Sequence, residues 1–176
     1  VMDADMQKRL AKMRVLMEAK EAEKNQQTQD DERHSVLDNS VTKSNELARA
    51  HYRFNLPEKR VMEAMVSQLD PRLFNEHQTQ DIELKTTEYA KAFDITEKSA
   101  YREMEGAIDA LLKRVITTKE EYKGRPAIVK RPLMFRGVYE EGKGRIIASF
   151  HPDFVVHLIG LRQKFATYPL SKAVNF

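Results

Sequence analysis

Hydrophobic positions near the N-terminus recur at the spacing of an amphipathic helix. Met6, Leu10, Met13 and Met17 are four, three and four residues apart, which predicts a helix over about residues 2–24. Residues 25–35 are polar and have no apolar side chain to bury, so they predict a linker or a disordered stretch. We therefore expect a helical or partly disordered N-terminal extension over residues 1–34, followed by a compact domain over residues 35–176.

The compact domain begins with helix signals and a short alternating strand. Residues 43–50 predict a short helix or an extended lead-in. Asn55-Leu56-Pro57-Glu58 resembles a capping box with proline in the first helical turn, which predicts a helix that ends before Asp70-Pro71. The alternation of Ile82-Glu83-Leu84-Lys85 then predicts a strand.

The next segment predicts a helix-turn-helix. Residues 87–93 have the pattern of a short helix, residues 94–96 of a tight turn, and residues 97–115 of a longer helix that Thr96 or Asp94 caps. Ile95 lies in the turn, where it would fill the space between the two helices. The longer helix places apolar residues on one face: Ala100, Met104, Ile108 and Leu111.

Three β-rich segments follow and complete the predicted fold. Residues 115–118 are β-branched, residues 127–139 alternate, and residues 145–150 return after a glycine-containing turn, so the last two segments predict a hairpin. A helix-turn-helix followed by a basic hairpin is a winged helix, which makes the expected fold class α+β. Pro152 begins a last apolar helix.

Charge is distributed unevenly along the chain. The net charge of +3 combines −1 over residues 1–34, −4 over residues 35–110 and +8 over residues 111–176. A basic half of a small domain suits a polyanion such as DNA, although lysine and arginine also serve simply to solubilise strands.

The basic residues suggest two groups of DNA contacts. The first turns of the longer helix contribute Lys98, Ser99 and Arg102, where a recognition helix presents side chains to bases and phosphates. The alternative is an ordinary solvated face, which Glu105 and Asp109 favour. The hairpin region contributes the second group, for which the alternative is charge that protects a strand edge: Lys130, Arg131, Arg136, Lys143 and Arg145.

The sequence offers little chemistry for an enzyme. It has no cysteine, which excludes disulfides, thiolate metal sites and thiol nucleophiles and predicts a reducing, cytoplasmic location. His151, Asp153 and His157 are the best candidate metal ligands, but a helix-capping aspartate with two incidental histidines explains them equally simply. We therefore expect no catalytic residue, no metal and no cofactor. The sequence has no apolar run long enough to span a membrane, so no membrane partner is expected.

Residues 39–176 resemble the first winged-helix domain of the iteron-binding plasmid replication initiators, the class of the F-plasmid initiator and the pi protein. The resemblance rests on four stretches in the same order and spacing: residues 39–47, 56–62, 89–102, and 150–168 with Phe150-His-Pro and Phe165-Ala-Thr-Tyr168. It implies an N-terminal half of an initiator that mediates dimerisation and secondary DNA contacts, while a second domain reads the iterons. It also implies DNA and host replication proteins as partners, and repression of the initiator's own gene by the dimer.

Two other functions fit the residues alone. A winged-helix transcriptional regulator unrelated to replication would share the fold, and a pure interaction module would lack affinity for DNA. For a homodimer, residues 127–139 supply the exposed edge and apolar side chains that we expect at the interface: Leu133, Phe135 and Val138.

Overall fold

The computed structural model describes residues 4–73 and 79–165 of the chain, and it begins with one long helix. Helix α1 runs Ala4–Tyr52, so the predicted linker over residues 25–35 is wrong and residues 43–50 belong to the same helix. The first 54 residues contain neither glycine nor proline. Glutamine, glutamate and lysine have high intrinsic helix propensity, so the polar segment over residues 25–35 is helical although it has no apolar positions. The chain separates into two units, Val1–Asn39 and Ser40–Phe176. The division predicted after residue 34 stays a prediction.

Helix α2, Leu56–Val66, begins with the predicted capping box. The Asn55 side chain accepts a hydrogen bond from the Glu58 amide at 2.9 Å, and the Glu58 carboxylate accepts one from the Asn55 amide at 3.0 Å. These two bonds satisfy amides that the first turn leaves without helical partners. The helix buries Val61 and Met65 completely in the core.

The helix-turn-helix is confirmed. Strand β1, Ile82–Lys85, leads into α3, Thr86–Phe93, which ends at Asp94 in a left-handed conformation with φ 53°. Helix α4, Glu97–Leu112, follows with Thr96 as its N-cap. It ends before the predicted limit at residue 115 because the chain enters a strand there.

The segment predicted as one strand over residues 127–139 forms two strands that belong to different sheets. They are β3, Arg125–Pro132, and β4, Met134–Glu140. Leu133 turns inward between them and is completely buried; its amide donates to the Arg114 carbonyl, and its carbonyl accepts from the His151 amide. Both bonds measure 2.9 Å. They place Leu133 in the core, whereas the alternating sequence suggested that its side chain faces outward.

The five strands form two separate antiparallel sheets. Strand β2, Val115–Tyr122, pairs only with β3, while β5, Arg145–Phe150, lies between β1 and β4. The predicted pairing of the segment around residue 138 with residues 145–150 is therefore confirmed, and the β4–β5 hairpin is the wing. Residues 125–132, by contrast, belong to an additional β2–β3 hairpin that lies between α4 and the wing in sequence.

The core of the domain lies between the inner face of the three-stranded sheet and the helices. Ile108 of α4, Ile146 and Phe150 of β5, and Phe154 of α5 (Pro152–Phe165) are completely buried. Each such side chain contributes about 1.5–3 kcal/mol through burial. Gly137 allows the close approach of α4 and β4, because a Cβ there would lie 3.1 Å from Ile108 Cγ2.

Candidate nucleic-acid interface

The N-terminal turns of α4 present the first group of predicted DNA contacts to solvent. Thr96 Oγ1 accepts a hydrogen bond from the Ser99 amide at 3.2 Å and lies 2.9 Å from the Ser99 hydroxyl, so Ser99 takes part in capping the helix. Lys98 and Arg102 are exposed, and neither forms a salt bridge with any residue that the structure describes. Both cations lie in the half of α4 that follows the turn, which is the position from which a recognition helix contacts DNA.

The C-terminal half of the same helix is acidic. Glu105 is exposed, and Asp109 accepts a 2.6 Å hydrogen bond from the Tyr139 hydroxyl of the wing. Burial and the hydrogen bond to Asp109 raise the pKa of Tyr139 above its ordinary value, so the phenol keeps its proton. Asp109 thus helps to fix the wing on α4, and the exposed cations of the helix, Lys98 and Arg102, lie in its first half together with exposed Glu97.

The wing holds most of its cations in salt bridges. Arg136 lies 2.6 Å from an Asp81 oxygen, and Arg145 lies 3.1 Å from Glu83 and 2.9 Å from Glu140. The hydrogen bonds that Arg145 donates to Glu140 and Glu83 raise the pKa of its guanidinium. Arg136 and Arg145 are therefore paired with neighbouring carboxylates, and their role as phosphate contacts stays a prediction.

The tip of the wing differs from its strands. Lys143 is exposed in a turn flanked by Gly142 and Gly144, which have φ of 71° and 62°. The Gly144 carbonyl accepts hydrogen bonds from the Thr86 amide at 2.9 Å and the Thr86 hydroxyl at 2.6 Å. These bonds fix the tip to the start of α3, and Lys143 is thereby held beside the helix-turn-helix.

Arg131 of the additional hairpin points inward and does not contribute to a basic surface. Its side chain is only 15% exposed and lies 2.6 Å from both Glu120 and Asp153. Burial alone would raise the pKa of Glu120, but hydrogen bonds from Arg131 and Thr118 outweigh it and lower that pKa. Arg131 therefore connects the hairpin to the start of α5, whereas neighbouring Lys130 is exposed.

The far end of this hairpin was not among the predicted DNA contacts. Tyr122 is 62% exposed there, and Lys119, Lys123 and Arg125 are also exposed. Lys123-Gly124 is a two-residue turn, a signal that the sequence contained but that was not used, because the hairpin was predicted from residues 127–139 and 145–150.

The residues expected at a dimer interface occupy three different environments. Leu133 is completely buried in its own domain, so it cannot be part of that surface. Phe135 is 57% exposed at an irregularity in the pairing of β4 with β5, and Val138 is 38% exposed on the same strand. Only Phe135 and Val138 remain available to a second copy.

The three candidate metal ligands each have another partner. The His151 ring accepts a hydrogen bond from the Asp153 amide at 3.2 Å, the Asp153 carboxylate binds Arg131, and His157 Nδ1 lies 2.9 Å from the Ser44 hydroxyl. Burial lowers the pKa of both histidines. Within residues 4–73 and 79–165, no group of three or more histidine, aspartate or glutamate side chains could hold a metal ion.

The helices in those ranges also include none with the length and apolar character needed to cross a membrane.

Comparison with known proteins relates this arrangement to replication. A WH1 domain of MSBI1.176, a replication protein isolated from a multiple sclerosis patient, superposes with a TM-score of 0.62 at 18% sequence identity, covering 72% of this chain and 97% of that one. This likeness shows a shared winged-helix fold. No curated protein matches the chain. The family model described as initiator replication protein, WH1, matches residues 40–176, which is more than half of the sequence. The chain therefore belongs to the initiator replication protein family, and residues 40–176 are its WH1 domain.

Proposed function

We propose that this chain acts in the initiation of plasmid DNA replication as a cytoplasmic, non-catalytic winged-helix domain that binds duplex DNA at origin iterons. The observation that carries the proposal is the pair of exposed cations, Lys98 and Arg102, at the start of the second helix of a helix-turn-helix. Lys143, exposed at the tip of the wing, would supply a further phosphate contact.

The charge of α4 limits what this domain reads. Glu105 would lie close to phosphates or base edges if the whole helix entered a major groove, and its charge would oppose binding. We therefore expect phosphate contacts from the start of α4 and from the wing, with little sequence preference. Iteron sequences would then be distinguished mainly by another part of the initiator, and host replication proteins would join at the origin.

The test is a salt titration of duplex binding by fluorescence anisotropy. The double variant Lys98→Ala/Arg102→Ala should lose about tenfold in affinity on any sequence and reduce the slope of log K against log salt by about two, because each phosphate contact contributes about one. Lys8→Ala/Lys12→Ala is the matched control, since both lysines are exposed on α1. The proposal fails if the native chain does not bind duplex DNA at low salt, or if the control loses as much as the α4 variant.

We further propose that the domain forms a homodimer through β4 and that the dimer represses the initiator's own gene. Strand β4 is an edge strand in the three-stranded sheet, so one row of its backbone groups can pair with a second copy. Phe135 would contribute on the order of 1.5–3 kcal/mol if the partner covered it fully. Arg136 would approach its own copy, but the salt bridge to Asp81 balances its charge, so association should depend only weakly on salt.

Sedimentation at several concentrations and two salt levels tests the dimer. Phe135→Glu should shift the equilibrium to monomer because it places a carboxylate in the interface. Val156→Glu is the control, since Val156 is 44% exposed and lies on α5 rather than on β4. A chain that stays monomeric at about 100 μM would contradict the proposal, as would a dimer that Phe135→Glu leaves intact.

A further inference from the structure

The β2–β3 hairpin projects beyond the core that covers its base. Along the inner face of β2, Ile116 and Thr118 are 4% and 1% exposed, whereas Tyr122 is 62% exposed. Strand β3 follows the same trend, from half-buried Val129 to exposed Arg125. A large aromatic side chain that stays uncovered at the end of such an arm is available to a ligand.

The turn at this end fixes the geometry of three side chains. Lys123 and Gly124 have φ of 51° and 74°, and two positive φ values match a type I′ turn, which suits the twist of paired strands. Tyr122 and Arg125 are direct partners in the register. The Lys123 ammonium lies 5.4 Å from the centre of the Tyr122 ring. An aromatic ring is thus flanked by one cation at its face and a second across the strand pair.

The charge of the hairpin surface narrows the choice of ligand. Glu120 is neutralised by Arg131, which leaves Glu121 as the one other carboxylate among residues 115–132. Four other cations are exposed there: Lys119, Lys123, Arg125 and Lys130. This excess favours a polyanion and opposes a second copy of the same surface.

We propose that the end of the β2–β3 hairpin binds single-stranded DNA, with the Tyr122 ring stacked on an unpaired base and Lys123 and Arg125 beside the flanking phosphates. Stacking requires an exposed base face, and a duplex covers its base faces with neighbouring pairs. The aromatic ring therefore adds affinity only where the strands are separated. The site lies on a different element from α4 and can be tested whether or not α4 binds duplex DNA.

The experiment compares binding of a labelled 20-nucleotide thymidine oligomer and of a duplex of the same length by the full chain. Tyr122→Ala should weaken binding to the single strand by about 5- to 150-fold, the range of one base–aromatic stack, and change duplex affinity less than twofold. Tyr122→Phe should keep the affinity, while Tyr122→Leu should lose it, because a branched apolar side chain has no flat face. Lys123→Ala/Arg125→Ala should weaken binding to the single strand and reduce its salt slope by about two.

Tyr52→Ala is the matched control, since Tyr52 is 84% exposed on α1. A chain that does not bind the oligomer at low salt would overturn the proposal. So would equal losses in Tyr122→Ala and Tyr52→Ala, or an equal loss by Tyr122→Ala on the duplex. Far-ultraviolet circular dichroism of each variant checks that the fold is retained, and the Phe and Leu variants separate stacking from stability if Tyr122→Ala is misfolded.

Discussion

The domain contains two basic β-hairpins that the structure uses differently. In the β4–β5 wing, β5 also pairs with β1; Arg136 is held by Asp81, just before β1, and Arg145 by carboxylates of β1 and β4. In the β2–β3 hairpin the strands pair only with each other, and one buried arginine, Arg131, forms salt bridges while the other cations face solvent.

The difference shows that the number of cations on a hairpin does not measure its capacity to bind a polyanion. In the wing, Asp81 and Glu83 form salt bridges with Arg136 and Arg145. They lie more than fifty residues before these arginines in the sequence. Among the described residues, no further strand pairs with the β2–β3 hairpin. Of the wing cations, only Lys143 at the tip is exposed outside a salt bridge with a described residue.

The largest expected effect concerns the residue that separates the two hairpins. Leu133→Ala should lower the free energy of unfolding by about 2–5 kcal/mol, because it leaves a cavity at a completely buried position. Ile128→Ala, on the hairpin face where Ile128 is 67% exposed, should change it by less than about 0.5 kcal/mol. Urea unfolding followed by circular dichroism measures both. Similar losses of unfolding free energy in the two variants would contradict the burial of Leu133 between the two hairpins.

A second prediction uses the internal salt bridge of the β2–β3 hairpin. Arg131→Met should cost on the order of 2 kcal/mol at pH 7, between the values for exposed and fully buried pairs, because it leaves Glu120 without its cation. The pKa of Glu120 is lowered in the native state, so this contribution is present above its ordinary pKa of 4.5 and lost as pH falls through the native value. The stability difference between native and variant chains should therefore be complete at pH 7 and narrow as pH falls from 4.5 to 3.

The control for that prediction is Arg136→Met on the wing. Its salt bridge joins side chains that are 50% and 49% exposed, so its loss should cost at most about 1 kcal/mol. Urea midpoints at pH 7, 4.5 and 3 provide the comparison. A gap between Arg131→Met and the native chain that stays constant over this range would show that Glu120 does not titrate as described.

The smallest expected effect distinguishes two roles of cations in the wing: Lys143 binds phosphate, whereas Arg145 stabilises the fold. Lys143→Ala should weaken duplex binding a few-fold and lower the salt slope by about one, without changing the urea midpoint. Arg145→Ala should lower the urea midpoint, because Glu83 and Glu140 lose their partner, and leave the salt slope nearly unchanged. If Arg145→Ala lowers the slope as much as Lys143→Ala does, Arg145 contacts phosphate despite its salt bridges.

Local sequence was sufficient to predict the helix-turn-helix and the beginnings of α2 and α4. Asn55 with Glu58, and Thr96 before α4, are capping signals whose partners lie within three residues, so no distant contact decides them. The spacing of apolar residues likewise predicted which face of α4 is buried. The linker over residues 25–35 could not be read correctly, because an exposed helix without apolar positions has the composition of a disordered segment.

The sequence by itself thus determined the winged-helix class, the turn between α3 and α4, and the basic character of the last third of the chain. Tertiary structure decided which cations remain exposed, because Arg131, Arg136 and Arg145 find carboxylates on strands or helices that folding brings beside them. It also decided that residues 125–140 form two strands. The backbone hydrogen bonds of Leu133 to Arg114 and His151 turn its side chain into the core, and alternation along a sequence carries no information about partners so far away.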